Sequence, residues 1–134
     1  MKFSLWTDYG ALNSRPVFDA FANSLVDNGH TVVYNDNSAD VDCIWSVLFN
    51  GRMARNKTIW ENKKPTIVLE VGGINRGTTW KVGLNGINRD AYFGDKDNDR
   101  TRADSLGLVC KPWRSNGDFI LVCGQHDKSL QWQN

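Results

Sequence analysis

No segment of this 134-residue chain approaches the roughly 20 consecutive apolar residues of a membrane-spanning helix. Only five residues separate Lys2 from Asp8, too few for the apolar core of a signal peptide, so the sequence reads as that of a cytoplasmic protein. An excess of charge of one sign is also missing. Sixteen Lys and Arg against 15 Asp and Glu leave a net charge of +1, without the field that marks nucleic-acid or polyanion binders. The three cysteines, Cys43, Cys110 and Cys123, stand far apart and form no Cys-x-x-Cys pair. That spacing excludes a thiolate metal site and points to buried free thiols, with Cys43 and Cys123 inside apolar runs.

Signature motifs are equally scarce. Neither Gly-x-Gly-x-x-Gly nor Gly-x-x-x-x-Gly-Lys-Ser/Thr occurs, which argues against a standard dinucleotide site and a phosphate-loop nucleotidase. No Gly-x-Ser-x-Gly, Ser-x-x-Lys or His-Glu-x-x-His accompanies His126, and His30 falls at a helix-to-strand junction where a structural role is expected. The acidic run Asp95-Lys-Asp-Asn-Asp-Arg100 lacks the central glycine and terminal glutamate of a calcium loop. No metal or cofactor is expected.

What is present is an ordinary globular composition, 40% apolar and 23% charged, and the whole chain reads as one domain with a single core. Phe3 to Thr7 predicts a first strand. Pro16 then pre-sets a helix whose apolar residues Val17, Phe18, Phe21, Ala22, Leu25 and Val26 share one face, with Gly29 as a left-handed stop. Thr31–Tyr34 is a short strand, and Val41 to Phe49 is apolar at nearly every position, as in a strand covered on both faces of a parallel sheet. Arg52 to Asn62 predicts a weaker helix, ended by Lys63-Lys-Pro65, and Thr66–Val71 another buried strand. Between Ile74 and Leu108 the composition predicts a long loop with a short strand or hairpin and a helical turn near Arg100 to Leu106. The run Phe119 to Cys123 predicts a final strand, as though a second structural unit opened there.

This pattern predicts an α/β, Rossmann-like fold. The expected sheet is mostly parallel, in flavodoxin-like order 2-1-3-4-5, with helices on both faces in a three-layer sandwich. The six residues between the second and third strands are short for a parallel crossover, and a hairpin is the alternative. The preferred layout passes the link over one end of the first strand. Ligands of open α/β sheets bind beyond the carboxyl ends of the strands, where the strand order reverses.

That edge would collect Asp8, Arg15, Asn50, Arg52, Glu70, Gly72, Gly73 and Arg76. Glu70 is the single acidic residue of its strand, costly to bury unless Arg15, Arg52 or Arg76 pairs with it. A structural salt bridge is the plain reading of such a pair. Gly72-Gly73 could bring backbone amides up to a phosphate or sugar, or simply end the strand in a turn. Asp8 suits either a ligand contact or a turn.

The residues Asp42-Cys-Ile-Trp-Ser-Val-Leu-Phe-Asn-Gly-Arg52, Ile67-Val-Leu-Glu-Val-Gly-Gly73 with Arg76 and Trp80, Gly83-Leu-Asn-Gly-Ile87, and Lys111-Pro-Trp-Arg114 leading to Ile120–Gln125 carry a resemblance. They resemble uncharacterised proteins of tailed phages and marine bacteria, which look like two-domain glycosyltransferases of the GT-B type, capsule-polysaccharide transferases among them. The resemblance implies the N-terminal, acceptor-side half of that architecture, part of a longer protein and inactive alone. It places Asp8, Arg15, Asn50, Arg52, Glu70 and Gly72 on the interdomain cleft and makes a sugar or nucleotide the expected ligand. Trp113 and Trp132 would pack against a neighbour, which allows a homodimer through the C-terminal region. The alternatives are a small binding protein for a nucleotide or other phosphorylated ligand, and a phage protein-interaction module.

Overall fold

The computed structural model describes residues 1–88, 91, 92, 94 and 100–124. His126, Trp132 and the acidic run at 95–99 lie outside the described residues. The chain divides into two compact units, Met1–Gly94 and Asp95–Asn134.

The first unit is an α/β fold on one five-stranded sheet, ordered β2-β1-β3-β4-β5. The strands are β1 (Lys2–Leu5), β2 (Thr31–Tyr34), β3 (Val41–Trp45), β4 (Thr66–Val71) and β5 (Trp80–Leu84). The first four run parallel, and β5 returns antiparallel to β4. The strand order is the one the sequence predicts, and β5 is the short strand expected within the long loop.

β2 and β3 flank β1 on opposite sides, so six residues must carry the chain back across it. A four-residue strand is only about 13 Å long, whereas six extended residues reach about 20 Å. The link does not pass over the end of β1; it walks back along the strand. Asn35 N–H donates to Leu5 O at 3.1 Å and Asp40 N–H to Lys2 O at 2.9 Å. Between them Asp36 N–H donates to Ser4 Oγ at 3.0 Å. The Lys2 ammonium pairs with Asp36, whose carboxyl is held below its usual range chiefly by the Ser38 backbone N–H and hydroxyl.

Helix α1 (Arg15–Asp27) begins behind Ser14, whose hydroxyl donates to Ala11 O at 2.7 Å. It ends in a Schellman turn: Gly29 at φ +78° donates to Val26 O, and His30 N–H to Leu25 O. Its Phe18, Ala22 and Leu25 join Phe3, Leu5, Val41, Cys43, Trp45 and Leu69 in one apolar cluster. Side chains alternate across a strand, so Ile44 and Val68 belong to a second cluster with Trp6, Ile87 and Ile59 of helix α2 (Asn56–Glu61). At β1 this second side of the sheet bears Ser4 and is crossed by the link, not by a helix.

Three expectations are corrected. The apolar run Val41 to Phe49 is not one strand, because Ser46 takes φ +62° and its hydroxyl accepts Leu48 N–H, turning the chain out after Trp45. Phe119 to Cys123 is not a strand; no neighbouring strand pairs with it among the described residues, and Phe119, Ile120, Leu121 and Val122 are each at least 75% exposed. Its thiol is accordingly exposed, as is that of Cys110, and only Cys43 is buried. The helical turn expected near Arg100 is α3 (Thr101–Ser105) in the second unit.

Burial, and then the neighbouring Asp42 carboxylate, push the Cys43 thiol far above its ordinary range. A thiol reagent at neutral pH is therefore expected to modify Cys110 and Cys123 within minutes and Cys43 only on denaturation. Three fast equivalents in a colorimetric thiol assay on native protein would contradict this core.

Candidate functional site

The parallel strands β1, β3 and β4 deliver their following loops to one edge of the sheet. After β1 comes a tight 3-10 turn, Thr7–Tyr9, and after β3 another, Gly51–Arg55, which runs directly into α2. The two turns meet. The Arg55 guanidinium lies 5.6 Å from the centre of the Tyr9 ring and donates to the Tyr9 hydroxyl at 3.2 Å. Tyr9 also stacks on Trp6, with ring centres 6.1 Å apart.

Beneath this pair sits Asn56, wholly buried. Its Nδ2 donates to Trp45 O at 2.8 Å and to Tyr9 O at 3.3 Å, tying the end of β3 to the turn after β1. The two bonds fix the amide's orientation and leave Oδ1 buried without a hydrogen-bond partner. An unsatisfied buried acceptor is costly, so the junction retains capacity for one more donor. Trp6 is held from the other end, its indole N–H donating to buried Asp42 at 2.8 Å. The ring wall of the edge is thus braced by a carboxylate inside the sheet.

The residues singled out from the sequence are distributed along this edge, not gathered at one point. Asp8 is exposed, and its N–H donates to Asn35 Oδ1 at 3.3 Å. Arg15 stands beside the end of β2: its Nε donates to Asp19 at 2.9 Å, and its guanidinium lies 6.0 Å from the Tyr34 ring centre. Asn50 and Arg52 are exposed on the turn after β3. Arg76 lies in the β4–β5 connection, bridged to Thr79. Strands are spaced about 4.8 Å apart, so the β2 end and the β4–β5 connection are separated by roughly 14–19 Å. A single sugar ring cannot span both, and the compact part of the edge is Asp8, Tyr9, Asn50, Arg52 and Arg55.

Glu70 is half-buried and sits in register with Lys81 of β5. Its Oε1 accepts the N–H of Val71 at 3.0 Å. Among the described residues none of Arg15, Arg52 and Arg76 forms an ion pair with it. The two glycines differ sharply. Gly72 is buried and its N–H is spent on Thr79 O at 2.8 Å, closing the hairpin, whereas Gly73 is exposed with open space where a side chain would go.

Tyr9, Arg55 and Asn56 escaped the sequence reading as site residues. The first lies in a turn read only for its polar neighbours; the others fall within the helix predicted over Arg52 to Asn62, where nothing marks an asparagine as a clamp. No protein-family model, curated protein or solved structure matches the chain. Among the described residues no group of three or more His, Cys, Asp and Glu is placed to hold a metal ion, and no helix is long and apolar enough to cross a membrane.

A Cβ on Gly72 would stand 2.7 Å from Thr79 O, a backbone atom that cannot swing aside. Gly72→Ala is expected to cost about 1–3 kcal/mol in urea denaturation, and Gly73→Ala less than about 0.5 kcal/mol. Equal effects would mean that the hairpin does not close as described.

Proposed function

We propose that the first unit is a Rossmann-like binding domain, layered as a three-tier sandwich, whose ligand is a sugar or a nucleotide held at the carboxyl edge of the sheet. The observation that carries this is the reversal of strand order at β1, with β2 on one side and β3 on the other. Open α/β sheets take their ligands at such a point, and the side chains that meet there are Tyr9, Arg55 and Asn56. An aromatic ring, exposed guanidinium groups and a buried amide suit a ligand with both a ring face and hydroxyl or phosphoryl oxygens.

The resemblance to the acceptor-side half of GT-B glycosyltransferases supports a sugar acceptor over other ligands. In that architecture the sugar nucleotide belongs to a second domain, so the part assigned to this unit is acceptor binding, with no transfer on its own. The nucleotide reading rests on the same arginines. Arg52 and Arg55 present cationic groups with no paired carboxylate among the described residues, as a phosphoryl group would require.

A panel of glycans, nucleotides and sugar nucleotides, followed by thermal shift, tests the proposal. A ligand at 100 times its Kd stabilises by about 2.7 kcal/mol, a shift of several degrees in Tm. That shift is expected with the parent and not with the Arg52→Ala/Arg55→Ala variant. The class of ligand that gives it decides between acceptor and nucleotide. A shift that survives both substitutions places the site elsewhere.

Residues 109–124 of the second unit carry a protein-interaction reading. Val109, Trp113, Phe119, Ile120, Leu121 and Val122 are all at least 75% exposed, and large apolar side chains left in water together mark an association surface. Association through this stretch, the homodimer included, predicts a molar mass in light scattering that rises with concentration and falls back for Phe119→Asp/Leu121→Asp. A monomer at every concentration refutes self-association.

A further inference from the structure

The opposite, amino edge of the sheet holds a cavity of about 380 Å³ lined by Trp60, Lys63, Lys64, Pro65, Thr66 and Asn85. Its volume falls within the range of small-molecule sites. It is formed where α2 ends and β4 begins, on the side facing away from the Tyr9–Arg55 pair. We propose that this cavity is a second binding site, for a sugar ring bearing one anionic group, a carboxylate or a phosphate.

Three features of the lining point to that chemistry. Trp60 is half-buried and braced by Phe49, with ring centres 6.3 Å apart. A fixed indole offers a flat apolar face against the C–H face of a sugar ring, and its N–H has no acceptor among the described residues. Two lysines, Lys63 and Lys64, line the same cavity without an acidic partner among the described residues. Lys64 donates to the main-chain carbonyls of Asn37 and Ala39, which fix its position and leave its charge uncompensated. Lys63 is exposed, and no carboxylate among the described residues pairs with either lysine.

The third feature is the rigidity of the far wall. Asn85 N–H donates to Thr66 O at 2.7 Å, and Asn85 Oδ1 accepts Thr66 N–H at 2.9 Å. This closed pair pins the amide and leaves its Nδ2 as a donor for a hydroxyl. Both walls are held in left-handed backbone, Lys63 at φ +55° and Asn85 at φ +54°. For a lysine that conformation is unfavourable and persists only where surrounding contacts over-determine it. The tether of neighbouring Lys64 to the link at residues 37 and 39 supplies those contacts.

An anion needs the lysines, a sugar ring needs the indole, and the amide serves a hydroxyl. Neutral sugar and inorganic phosphate each satisfy only part of the set, so both should bind weakly. The site is independent of the carboxyl-edge proposal and shares no residue with it.

The test is a titration of the full chain, observed by the Trp60 indole signal in ¹H–¹⁵N spectra, assigned with Trp60→Phe. The probes are glucuronic acid, glucose 6-phosphate, glucose and inorganic phosphate. A saturable shift with glucuronic acid or glucose 6-phosphate is expected, and which one is tighter identifies the anion as carboxylate or phosphate. Affinity for glucose and for inorganic phosphate should be at least about tenfold weaker, a loss of about 1.4 kcal/mol. Lys63→Glu, at an exposed position, should weaken the anionic sugars by a similar factor. No shift of Trp60, an equal response to glucose or inorganic phosphate, or indifference to Lys63→Glu overturns the proposal.

Discussion

The structure depends on how six residues are made to cross β1. A parallel connection normally carries a helix and a dozen residues or more. With only 35–40 available there is no room for a helix, and the crossing segment lies directly on the sheet. Backbone laid on a sheet needs partners for its polar groups. The side of β1 beneath it therefore bears Ser4, fully buried, whose hydroxyl takes the N–H of Asp36. The polar character spreads sideways in register: Ser4 is opposite Asp42, and Asp42 opposite Thr66. Each of these buried groups is answered, Asp42 by the Trp6 indole and Thr66 by donating to Lys64 O. A single short connection thus sets a polar stripe through three strands and, through Trp6, reaches the carboxyl edge.

The same connection links the two edges of the sheet. By placing β2 and β3 on either side of β1 it creates the reversal of strand order at the carboxyl end. By returning to the amino end it supplies the carbonyls of Asn37 and Ala39 that hold Lys64. The chemistry of the edges differs accordingly. Guanidinium groups over aromatic rings collect at the carboxyl end, whereas two lysines and a tryptophan line the cavity at the amino end. Arginine keeps a planar fork suited to two oxygens at once, and lysine acts as a point charge. The two ends are therefore not versions of one site.

Much of the fold was legible because its signals are local. Pro16, the apolar face ending at Leu25 and Gly29 define α1 from sequence alone, and continuous apolar runs identify β3 and β4 as covered on both sides. The order 2-1-3-4-5 was the preferred layout, with a hairpin of the second and third strands as the alternative, because a six-residue link by itself does not choose between them. The failures have one physical origin: hydrophobicity reports burial or the capacity for it, not pairing. Val47 and Phe49 are apolar because they pack beside Trp6 and Trp60, after Ser46 has already turned the chain. Phe119 to Val122 are apolar and exposed, and a strand needs a neighbour that no residue count supplies. The amino-edge cavity was hidden in Lys63-Lys-Pro65, which reads as a helix stop.

The candidate site was legible only as an edge. Sequence placed Asp8, Asn50 and Arg52 there, but it treated all charged loop residues as equivalent, and the strand spacing separates Arg15 and Arg76 from the centre. What organises the centre is Asn56, a residue without charge or motif. Its two donors are committed to main-chain carbonyls from different elements, so its acceptor cannot be turned away without breaking both bonds. The orphan Oδ1 is therefore a fixed feature of the junction, not a rotamer choice. An asparagine in this place exchanges one unsatisfied acceptor for the union of two turns, and it is this union that brings Arg55 onto Tyr9.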